Sequence, residues 1–475
     1  MTAALELRHF IGGEWVGQPE VESRNPFDDS VVAVVASGTA ATVADAVAAA
    51  QAAQPAWEAL PAPKRGAILL DAADLLRSRQ RAVAEDLVRE EGKTLAEAMG
   101  EVRRAIDVFR FFGSLGWRAS GDVFPSNTPD TMVYTRREPL GVVGLVTPWN
   151  FPIAIPAWKL APALISGNTV VLKPAELTPR SVHNLASVLA EAGLPDGVLN
   201  IVNGKGSVVG EALAAHPDVA AISFTGSTKV GEHIRGVVQG RRGRVQLEMG
   251  GKNALVVLDD ADPDVAAAVA AAGGFGLTGQ ACTATSRVIA TGGIHDAFVD
   301  ALAKVAATIV PGDGLADGAM MGPVVSDAQL ATDLAALEKA RADGNLIGGE
   351  SDGRLLRPAV VTGLPADHSV VTDEVFGPLI AVLPTTDLDA AIEAVNSSAY
   401  GLAAGICTTN LASAQHFAAR AHAGVIKVNR PTAGLDLNVP FGGVKASSTN
   451  TFREQGEAAL EFYTWSKTVY LGHDR

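Results

Sequence analysis

The stretch from Val142 to Lys173 reads VVGLVTPWNFPIAIPAWKLAPALISGNTVVLK, and it indicates how the chain folds. Val142–Val146 is a short apolar run, Ala154–Leu164 has the composition of a helix, and Thr169–Leu172 is a second apolar run. Short apolar runs joined by a helix are typical of parallel strands that are buried on both faces. This stretch therefore predicts a βαβ unit in an α/β fold.

The alternation continues toward the C-terminus and starts a second time after Gly250. The later apolar runs that are typical of strands are Val198–Val202, Ala220–Phe224, Val245–Leu247, Ala254–Leu258, Arg287–Ala290, Ile380–Leu383, Ala403–Cys407 and Val425–Val428. Helix-like segments lie between them, among them Ser181–Ala192 and Lys229–Val238. Two successive strand–helix patterns predict two α/β domains with a cleft between them.

The two ends of the chain have different patterns. Apolar residues recur at helical spacing in Ala44–Ala59, Lys64–Glu91 and Leu95–Phe112, so we expect the N-terminal part to be helical, with Gly92 capping the second segment. The last segment, Ala458–Leu471, is strand-like and rich in aromatic residues. Such a strand can pair with another strand, either in the same chain or in a second subunit.

Composition excludes several classes of protein. The 475 residues predict about three domains. The formal net charge is −14, which disfavours nucleic-acid binding, and the 48% of hydrophobic residues disfavour disorder. Two cysteines are too few for a disulfide scaffold or a thiolate zinc site, and no metal site is expected.

No targeting or membrane segment is predicted. The first ten residues carry Glu6 and Arg8 where a signal peptide needs an apolar core. The longest uncharged stretch, Val265–Ser286, is mainly Ala, Gly, Thr and Gln, which predicts a buried helix followed by a loop and not a membrane span. We therefore expect a cytoplasmic protein.

Two glycine-containing stretches could bind a nucleotide where a strand meets a helix. Gly204–Gly210 (GKGSVVG) is a loose match to the dinucleotide pattern, and a plain strand–helix turn explains it better. Phe224–Gly231 (FTGSTKVG) places Gly226 and Ser227 before a helix, where free N–H groups face an anion. A capped turn explains this second stretch equally well.

Three side chains are candidates for chemistry. Cys282 lies in a loop of small residues with no hydrophobic period, although a lone cysteine is usually an inert core residue, as we expect for Cys407 in its apolar strand. Glu248 ends the last strand of the first pattern, and Asn150 lies in a proline-bracketed loop. A thiol, a carboxylate and an amide can serve as nucleophile, base and oxyanion donor, but each also has an ordinary structural explanation.

Taken together, the motifs resemble the aldehyde dehydrogenase superfamily. The resemblance runs from Phe10–Trp15 (FIGGEW) to Pro440–Gly443 (PFGG). Six motifs follow one another in the family's order: TPWNFP at 147–152, GNTVVLKPAE at 167–176, FTGSTKVG at 224–231, LEMGGKN at 247–253, GQACTATSR at 279–287 and EVFGPL at 374–379. One such match would mean little, but six in order exclude chance.

The resemblance implies roles for the candidate residues. Cys282 matches the nucleophile that attacks the aldehyde, Asn150 matches the oxyanion donor, and Glu248 matches the base that activates water against the thioester. Lys173 is included among the catalytic candidates. The cofactor contacts that the resemblance implies are Thr147, Trp149, Lys173, Glu176, Gly226, Ser227, Gly250, Glu374 and Phe376. Glu176 favours NAD over NADP, which stays an alternative, because a carboxylate repels a 2′-phosphate.

The family's architecture implies the domain division. A Rossmann-like NAD-binding domain would comprise residues 1–121 and 139–251, and a second α/β catalytic domain residues 252–445. A small β element for bridging and oligomerisation would comprise residues 122–138 and 446–475, with the first strand paired to the tail. The partners implied are a small-molecule aldehyde and further copies of the chain, as a homodimer or homotetramer.

The substrate is inferred from a narrower resemblance, to α-ketoglutarate semialdehyde (2,5-dioxopentanoate) dehydrogenases. The stretches that carry it are AWK at 157–159, VNRPTAGLD at 428–436, REQG at 453–456 and EFYT at 461–464. A semialdehyde carries a distant carboxylate, so we expect a cation in the substrate funnel. Arg430 is the first candidate and Arg118 the second, although both also suit surface salt bridges. Ala281 and Phe151 are expected to border the substrate, and Ser448 stands where the family more often has Gly.

Other functions remain as alternatives from the sequence. The same chemistry could act on succinate semialdehyde or on an aromatic or aliphatic aldehyde. A thiol acyl hydrolase would cleave esters without redox chemistry, but it would leave the nucleotide motifs without a purpose. A CoA-acylating relative would generally lack the base, which Glu248 supplies here.

Overall fold

The computed structural model describes residues 5–118 and 120–473. Two seven-stranded sheets, each mainly parallel and covered by helices, form its centre, so the predicted α/β class is confirmed. Within the described residues, no helix has both the length and the apolar character needed to cross a bilayer.

The first half of the chain supplies one large sheet, and the second half supplies the other. The strands up to residue 248 are β1 Leu5–Leu7, β2 His9–Ile11, β3 Glu14–Val16, β4 Pro19–Arg24, β5 Val31–Ala36, β6 Val123–Phe124, β7 Thr131–Pro139, β8 Val142–Val146, β9 Thr169–Lys173, β10 Leu199–Ile201, β11 Ala221–Thr225 and β12 Arg244–Glu248. The helices are α1 Ala40–Ala59, α2 Ala62–Ser78, α3 Gln80–Glu91, α4 Leu95–Ser114, α5 Ala154–Ile165, α6 Pro179–Glu191, α7 Glu211–Ala215 and α8 Thr228–Gly240.

The second half continues the numbering. Its strands are β13 Asn253–Val257, β14 Thr285–Thr291, β15 Asn345–Gly348, β16 Ser351–Asp352, β17 Leu355–Leu356, β18 Ala359–Thr362, β19 Leu379–Thr385, β20 Tyr400–Gly401, β21 Ala403–Cys407, β22 Val425–Val428, β23 Val444–Lys445 and β24 Thr464–Gly472. Its helices are α9 Pro263–Gly274, α10 His295–Thr308, α11 Asp327–Asp343, α12 Ser369–Thr372, α13 Leu388–Asn396, α14 Leu411–Arg420 and α15 Ala459–Tyr463.

The first sheet has the strand order β12-β11-β8-β9-β10-β2-β3. Strands β8 to β12 run parallel, while β2 and β3 join antiparallel at one edge. Side chains of β8 alternate between two cores: Val143 and Leu145 pack with helices α2 to α6, and Val142 and Val146 pack with α1, α7 and α8. Both faces are therefore buried, which explains why the strand sequences are apolar throughout.

The second sheet has the order β15-β18-β19-β14-β13-β21-β22, with only β15 antiparallel. Leu255 of β13 packs toward α9 and α10, and Val256 packs toward α13 and α14. Cys407 is buried in β21, as predicted.

A third, smaller sheet extends from the body of the protein. Strand β7 pairs antiparallel with β24 along its length, and β6 joins the other edge of β7. The C-terminal tail thus pairs with β7 of the same chain, the strand that the family resemblance implied. The apolar side chains of Val123, Met132, Tyr470 and Leu471 are exposed on this sheet.

The N-terminal prediction was wrong in part. Strands β1 to β5 precede the first helix, although a helical N-terminal part was expected. These five strands have three to six residues each, too few for their period to be recognised, and Phe10 is buried where it pairs with Ile201. The predicted helix Lys64–Glu91 is two helices that meet at Arg79, and it ends at Gly92 in the left-handed conformation, as expected.

The predicted C-terminal strand also begins later than expected. Residues Ala459–Tyr463 form the short helix α15, and the strand starts at Thr464. Phe462 and Tyr463 belong to the core beneath α5, so long-range packing decides the conformation of this segment against its aromatic, strand-like composition.

Candidate active site

A cavity of about 250 Å³ lies between the two large sheets. Strands β8, β11 and β12 of the first sheet end beside it, and β14 and β19 of the second sheet begin beside it. The predicted site residues that line the cavity are Trp149, Asn150, Gly226, Ser227, Glu248, Gly250, Cys282, Glu374 and Phe376. This is the edge of an open parallel sheet at which ligands bind, and the structure brings most of the predicted residues to it.

The loop that carries Cys282 is held in an unusual conformation. Leu277 and Thr278 have positive φ angles of 53° and 57°. The Leu277 N–H donates to a Glu97 carboxylate oxygen at 2.8 Å, and the Thr278 hydroxyl donates to the Gly322 carbonyl at 3.0 Å. These long-range bonds stabilise a backbone that would otherwise be strained, and so they fix the position of the thiol.

The thiol itself is partly exposed to the cavity and is surrounded by acids. Burial, and to a lesser extent the charges of Glu374, Glu248 and Glu454, raise the pKa of Cys282 to about 12. The side-chain amide of Asn253 donates to the carbonyls of Cys282 and Ala284, at 2.8 and 2.9 Å. The protein therefore holds this cysteine as a protonated thiol until a change in its electrostatic surroundings favours the thiolate.

Asn150 is positioned from both sides. Its amide donates to the Gln280 carbonyl at 2.9 Å, two residues before the cysteine. Its backbone carbonyl accepts from Lys93 Nζ at 2.8 Å, and Lys93 also pairs with Glu101 at 2.6 Å. Because an amide carries two N–H donors, the bond to Gln280 leaves one donor that can serve a developing oxyanion beside Cys282.

Glu248 is buried at the end of β12. The Gly443 N–H donates to its Oε2 at 3.3 Å, and the Ser448 hydroxyl donates to its Oε1 at 3.4 Å. Burial raises the pKa of Glu248 well above its usual range, and the neighbouring charge of Glu454 adds to the rise, while Lys159 opposes it. A carboxyl with a raised pKa in a cleft is suited to accept a proton during catalysis.

A buried ion pair beside Glu248 escaped the sequence analysis. Lys159 Nζ forms a short ion pair with Glu454 and donates to the Ser223 hydroxyl at 2.7 Å. Both charged side chains are almost fully buried. Lys159 lies in the quoted stretch AWK and Glu454 in REQG. The two residues are far apart in the sequence, so their contact cannot be recognised from it. One feature of the sequence could have indicated this ion pair: Lys159 lies in an otherwise apolar helix, and a buried charge needs a partner.

One end of the cavity is shaped for an anion. Helix α8 begins at Thr228, and the side chain of its N-cap residue, Ser227, makes no capping bond. The hydroxyls of Thr225 and Thr147 are buried without a hydrogen-bond partner among the described residues. A side chain at Gly226 would come within 2.6 Å of the Phe224 ring. Free N–H groups, unpaired hydroxyls and a glycine fit a pyrophosphate.

The opposite wall carries Glu374 and Phe376. Glu374 accepts from the Gly251 N–H at 2.9 Å, and burial raises its pKa to about 7. A Cβ on Gly250 would come within 2.0 Å of this carboxylate, so a side chain there would displace Glu374 from its present position. Phe376 has a φ of 66° and meets the Trp149 ring edge-on at 5.4 Å. The two rings flank the space next to Cys282.

Lys173 and Glu176 lie outside the cavity that holds Cys282. Lys173 is buried and donates to the Pro174 carbonyl at 2.8 Å, so no contact connects it with the thiol. Glu176 accepts from the Gly206 N–H at 2.9 Å. The stretch Gly204–Gly210, for which a plain turn was the preferred interpretation, thus borders the predicted ribose contacts.

Only some of the residues predicted to contact the substrate line a cavity beside Cys282. Phe151 lines a second cavity, of about 300 Å³, that also reaches Cys282. Ala281 is buried and lines neither cavity. Arg430 is exposed and donates to the Asn429 carbonyl, and Arg118 pairs with Glu457 at a separate cavity. Neither arginine lines the space beside the thiol, because both side chains are taken up by surface contacts.

No group of three or more His, Cys, Asp or Glu side chains in residues 5–118 and 120–473 is arranged to hold a metal ion.

Comparison with known proteins gives a consistent result. The sequence profile of the aldehyde dehydrogenase family matches residues 15–469. The chain is 46% identical to 2,5-dioxopentanoate dehydrogenase of Saccharolobus solfataricus, over 94% of this chain and 95% of that protein. It is 45% identical to alpha-ketoglutarate semialdehyde dehydrogenase of Haloferax volcanii, over 98% of each. Betaine aldehyde dehydrogenase of Staphylococcus aureus, solved in complex with NAD⁺, superposes with a TM-score of 0.94 at 32% identity, over 98% and 94% of the two chains.

Alkylation tests the state of the thiol. We expect iodoacetamide to label Cys282 alone, because Cys407 is buried in β21. With a pKa of about 12, only a small fraction of Cys282 is thiolate. The rate in the protein without ligands should then rise about tenfold per unit between about pH 7 and pH 9. Mass spectrometry of the labelled protein, with Cys282→Ser as control, measures this. A rate that levels off below about pH 8 contradicts the raised pKa.

Proposed function

The chain belongs to the aldehyde dehydrogenase family, and on that premise we propose that it oxidises a semialdehyde, α-ketoglutarate semialdehyde (2,5-dioxopentanoate). The reaction class, oxidation of an aldehyde with NAD(P)⁺, follows from the family. The substrate rests on the names of two relatives that are 46% and 45% identical to this chain over nearly its full length. The observation that carries the proposal is one cavity lined by Cys282, Asn150 and Glu248.

Cys282 is the nucleophile of this proposal. Its thiol first loses its proton to water, the thiolate sulfur then adds to the aldehyde carbon, and the carbonyl π electrons move to oxygen, which gives a thiohemiacetal oxyanion. The free N–H of the Asn150 amide donates to that oxygen, and the backbone N–H of Cys282 is the second donor. Lys93 holds the backbone carbonyl of Asn150, and Asn253 holds the cysteine loop. The two oxyanion donors are therefore oriented before the substrate binds.

The residues present fit a nicotinamide dinucleotide. Ser227, Gly226 and the unpaired hydroxyl of Thr225 would hold the pyrophosphate, and Glu374, Phe376 and Trp149 the nicotinamide end. Bound NAD(P)⁺ supplies the hydride acceptor that converts the thiohemiacetal into a thioester. Glu176 and Lys173 are proposed at the adenine ribose, where a carboxylate favours NAD because it repels a 2′-phosphate.

Glu248 completes the cycle. Its carboxylate takes a proton from water, the hydroxide adds to the thioester carbon, and the Cys282 thiolate leaves as the free acid forms. The ion pair of Lys159 with Glu454 lies next to this base, and Lys159 lowers its pKa. Ser448 donates to the same carboxylate. The proposal therefore assigns Lys159 and Ser448 a positioning role for Glu248.

The finer features of the sequence prediction remain proposals. We propose an NAD-binding domain of residues 1–121 and 139–251, a catalytic domain of residues 252–445, and a bridging element of residues 122–138 and 446–475. We also propose a cytoplasmic location and a homodimer or homotetramer. The exposed apolar side chains on β6, β7 and β24 support an assembly, since isolated edges of this kind favour pairing.

Removal of the base separates the two half-reactions. In Glu248→Gln the thioester should form but hydrolyse slowly, because no carboxylate takes the proton from water. Stopped-flow absorbance should show a burst of about one NADH per active site, followed by a steady-state rate about 10²- to 10⁴-fold below that of the wild type. Cys282→Ser is the matched control and should show neither phase. Steady-state NADH formation at the wild-type rate in either variant would contradict the assigned mechanism.

In the wild type, the raised pKa of Glu248 sets the pH dependence of hydrolysis. The carboxyl must be deprotonated to act, so the steady-state rate should climb with pH beyond the range in which an ordinary glutamate has already titrated.

A kinetic panel tests the substrate. We expect the highest kcat/KM with α-ketoglutarate semialdehyde, compared with succinate semialdehyde, butanal and benzaldehyde, and NAD should be used better than NADP. Formation of NADH at 340 nm and identification of the free acid are the measurements. Equal kcat/KM across the panel removes the semialdehyde assignment, and ester cleavage without any NADH favours a thiol hydrolase instead.

The oligomer has its own test. Light scattering of the intact chain should give two or four times the mass of one chain. Met132→Asp, which places a charge on the exposed apolar side of β7, should reduce that mass without altering the α/β core. A monomeric mass for the wild type at micromolar concentration contradicts the assembly.

A further inference from the structure

The second cavity leads from the surface of helix α4 to the thiol. It is lined by Phe151, Trp158, Leu435 and Phe441 on its apolar walls and reaches Cys282 and Thr283 at its inner end. Trp158 and Phe441 also line the first cavity, so the two spaces meet at the nucleophile from different sides. The second cavity is therefore the space left for the substrate when a dinucleotide fills the first.

Among the described residues, three charged side chains line this second cavity, and the oxygens of two of them, both carboxylates, are already hydrogen-bonded. Glu101 accepts from Lys93 Nζ and from the N–H groups of Ile153 and Ala154, at 2.6, 2.9 and 3.0 Å. The other carboxylate, Glu97, accepts from the backbone and hydroxyl of Thr94 and from the N–H of Leu277. These two carboxylates stabilise the local fold, and all of their oxygens already accept hydrogen bonds.

Arg104 is the third charged side chain, and it is not neutralised. Its guanidinium donates one hydrogen bond, to the Gln455 side-chain oxygen. Among the described residues, no carboxylate lies within 4 Å of it, and Asp436 and Asp107 act on it only at longer range. A guanidinium carries five N–H donors in a planar fork, so several donors are left for a ligand.

Gln455 holds this cation toward the cavity. It is buried, it has a φ of 60°, and it follows Glu454, whose ion pair with Lys159 fixes the chain at that point. A non-glycine residue in the left-handed region costs free energy, so the surrounding contacts must stabilise it. The strain places an amide oxygen where it orients the guanidinium.

We propose that Arg104 binds the carboxylate at the far end of the semialdehyde and so selects the substrate. The inference rests on the proposed function and deepens it. The aldehyde end lies at Cys282, the aliphatic chain lies against Phe151 and Trp158, and the terminal carboxylate meets the planar fork of Arg104. An Arg–carboxylate contact is bidentate and charge-assisted, and the apolar walls strengthen it by excluding water. Arg118 and Arg430 are outside this cavity and do not compete for the role.

The test compares two substrates in one variant. Arg104→Met should lower kcat/KM for α-ketoglutarate semialdehyde about 10- to 100-fold, while kcat/KM for butanal stays the same or rises, because only the first substrate has the carboxylate. Arg104→Lys should restore part of the lost activity, since it keeps the charge but not the fork. Arg430→Met is the matched control, an exposed arginine whose loss should change neither value.

A binding measurement adds a readout that does not depend on turnover. The product α-ketoglutarate carries the same carboxylate, so its inhibition constant should rise about 10- to 100-fold in Arg104→Met and stay unchanged in Arg430→Met. A charge reversal, Arg104→Glu, should improve kcat/KM for a cationic aldehyde such as betaine aldehyde relative to the wild type.

The outcomes separate this inference from the proposed function. If the wild type does not prefer the semialdehyde, the proposed substrate is wrong. If the wild type prefers it but Arg104→Met keeps that preference, the role of Arg104 is wrong while the substrate stands. Equal loss for the semialdehyde and butanal also overturns the inference, because it shows that Arg104 only supports the structure.

Discussion

The low-dielectric environment of the acidic groups between the two sheets is the constraint on which the site depends. Cys282, Glu248 and Glu374 all have raised pKa values, and burial is the largest cause for each. The charges of Glu374, Glu248 and Glu454 also disfavour ionisation of Cys282, because like charges interact strongly away from water. With a pKa of about 12 the Cys282 thiol is therefore mainly protonated at neutral pH, and Glu374, with a pKa of about 7, is partly protonated. Such a site has low reactivity until a bound ligand changes the electrostatic potential around these groups.

Buried ion pairs make this arrangement compatible with folding. Lys159 compensates Glu454 beside the base, and Lys93 compensates Glu101 beside the oxyanion donor. Each lysine also contacts a neutral group, the Ser223 hydroxyl or the Asn150 carbonyl. Loss of one partner from such a pair costs about 3–5 kcal/mol, because the remaining charge is buried alone. The same contacts that keep the charges tolerable also fix the geometry of the reactive groups.

Much of the fold could be predicted because buried parallel strands carry their signature locally. Val142–Val146, Ala403–Cys407 and Val425–Val428 are strands with the expected bounds. Strands β1 to β5 were missed because such short strands are defined by their partners and not by their own period. Helix α15 was missed for a related reason, since burial of Phe462 and Tyr463 against a distant core outweighs the strand-like composition.

The candidate site shows the same division between local and long-range information. Cys282, Asn150 and Glu248 each lie in a motif that can be recognised in one stretch of sequence, and they line one cavity. Arg104 lies on a helix among other charged residues, and nothing local distinguishes it from Arg103. Only the fold shows that Arg104 lines the second cavity while its neighbour is exposed, and that its fork lacks a carboxylate within the described chain. Reactivity can therefore be predicted from motifs, but the charge that selects a substrate depends on which helix face the tertiary structure turns toward the cavity.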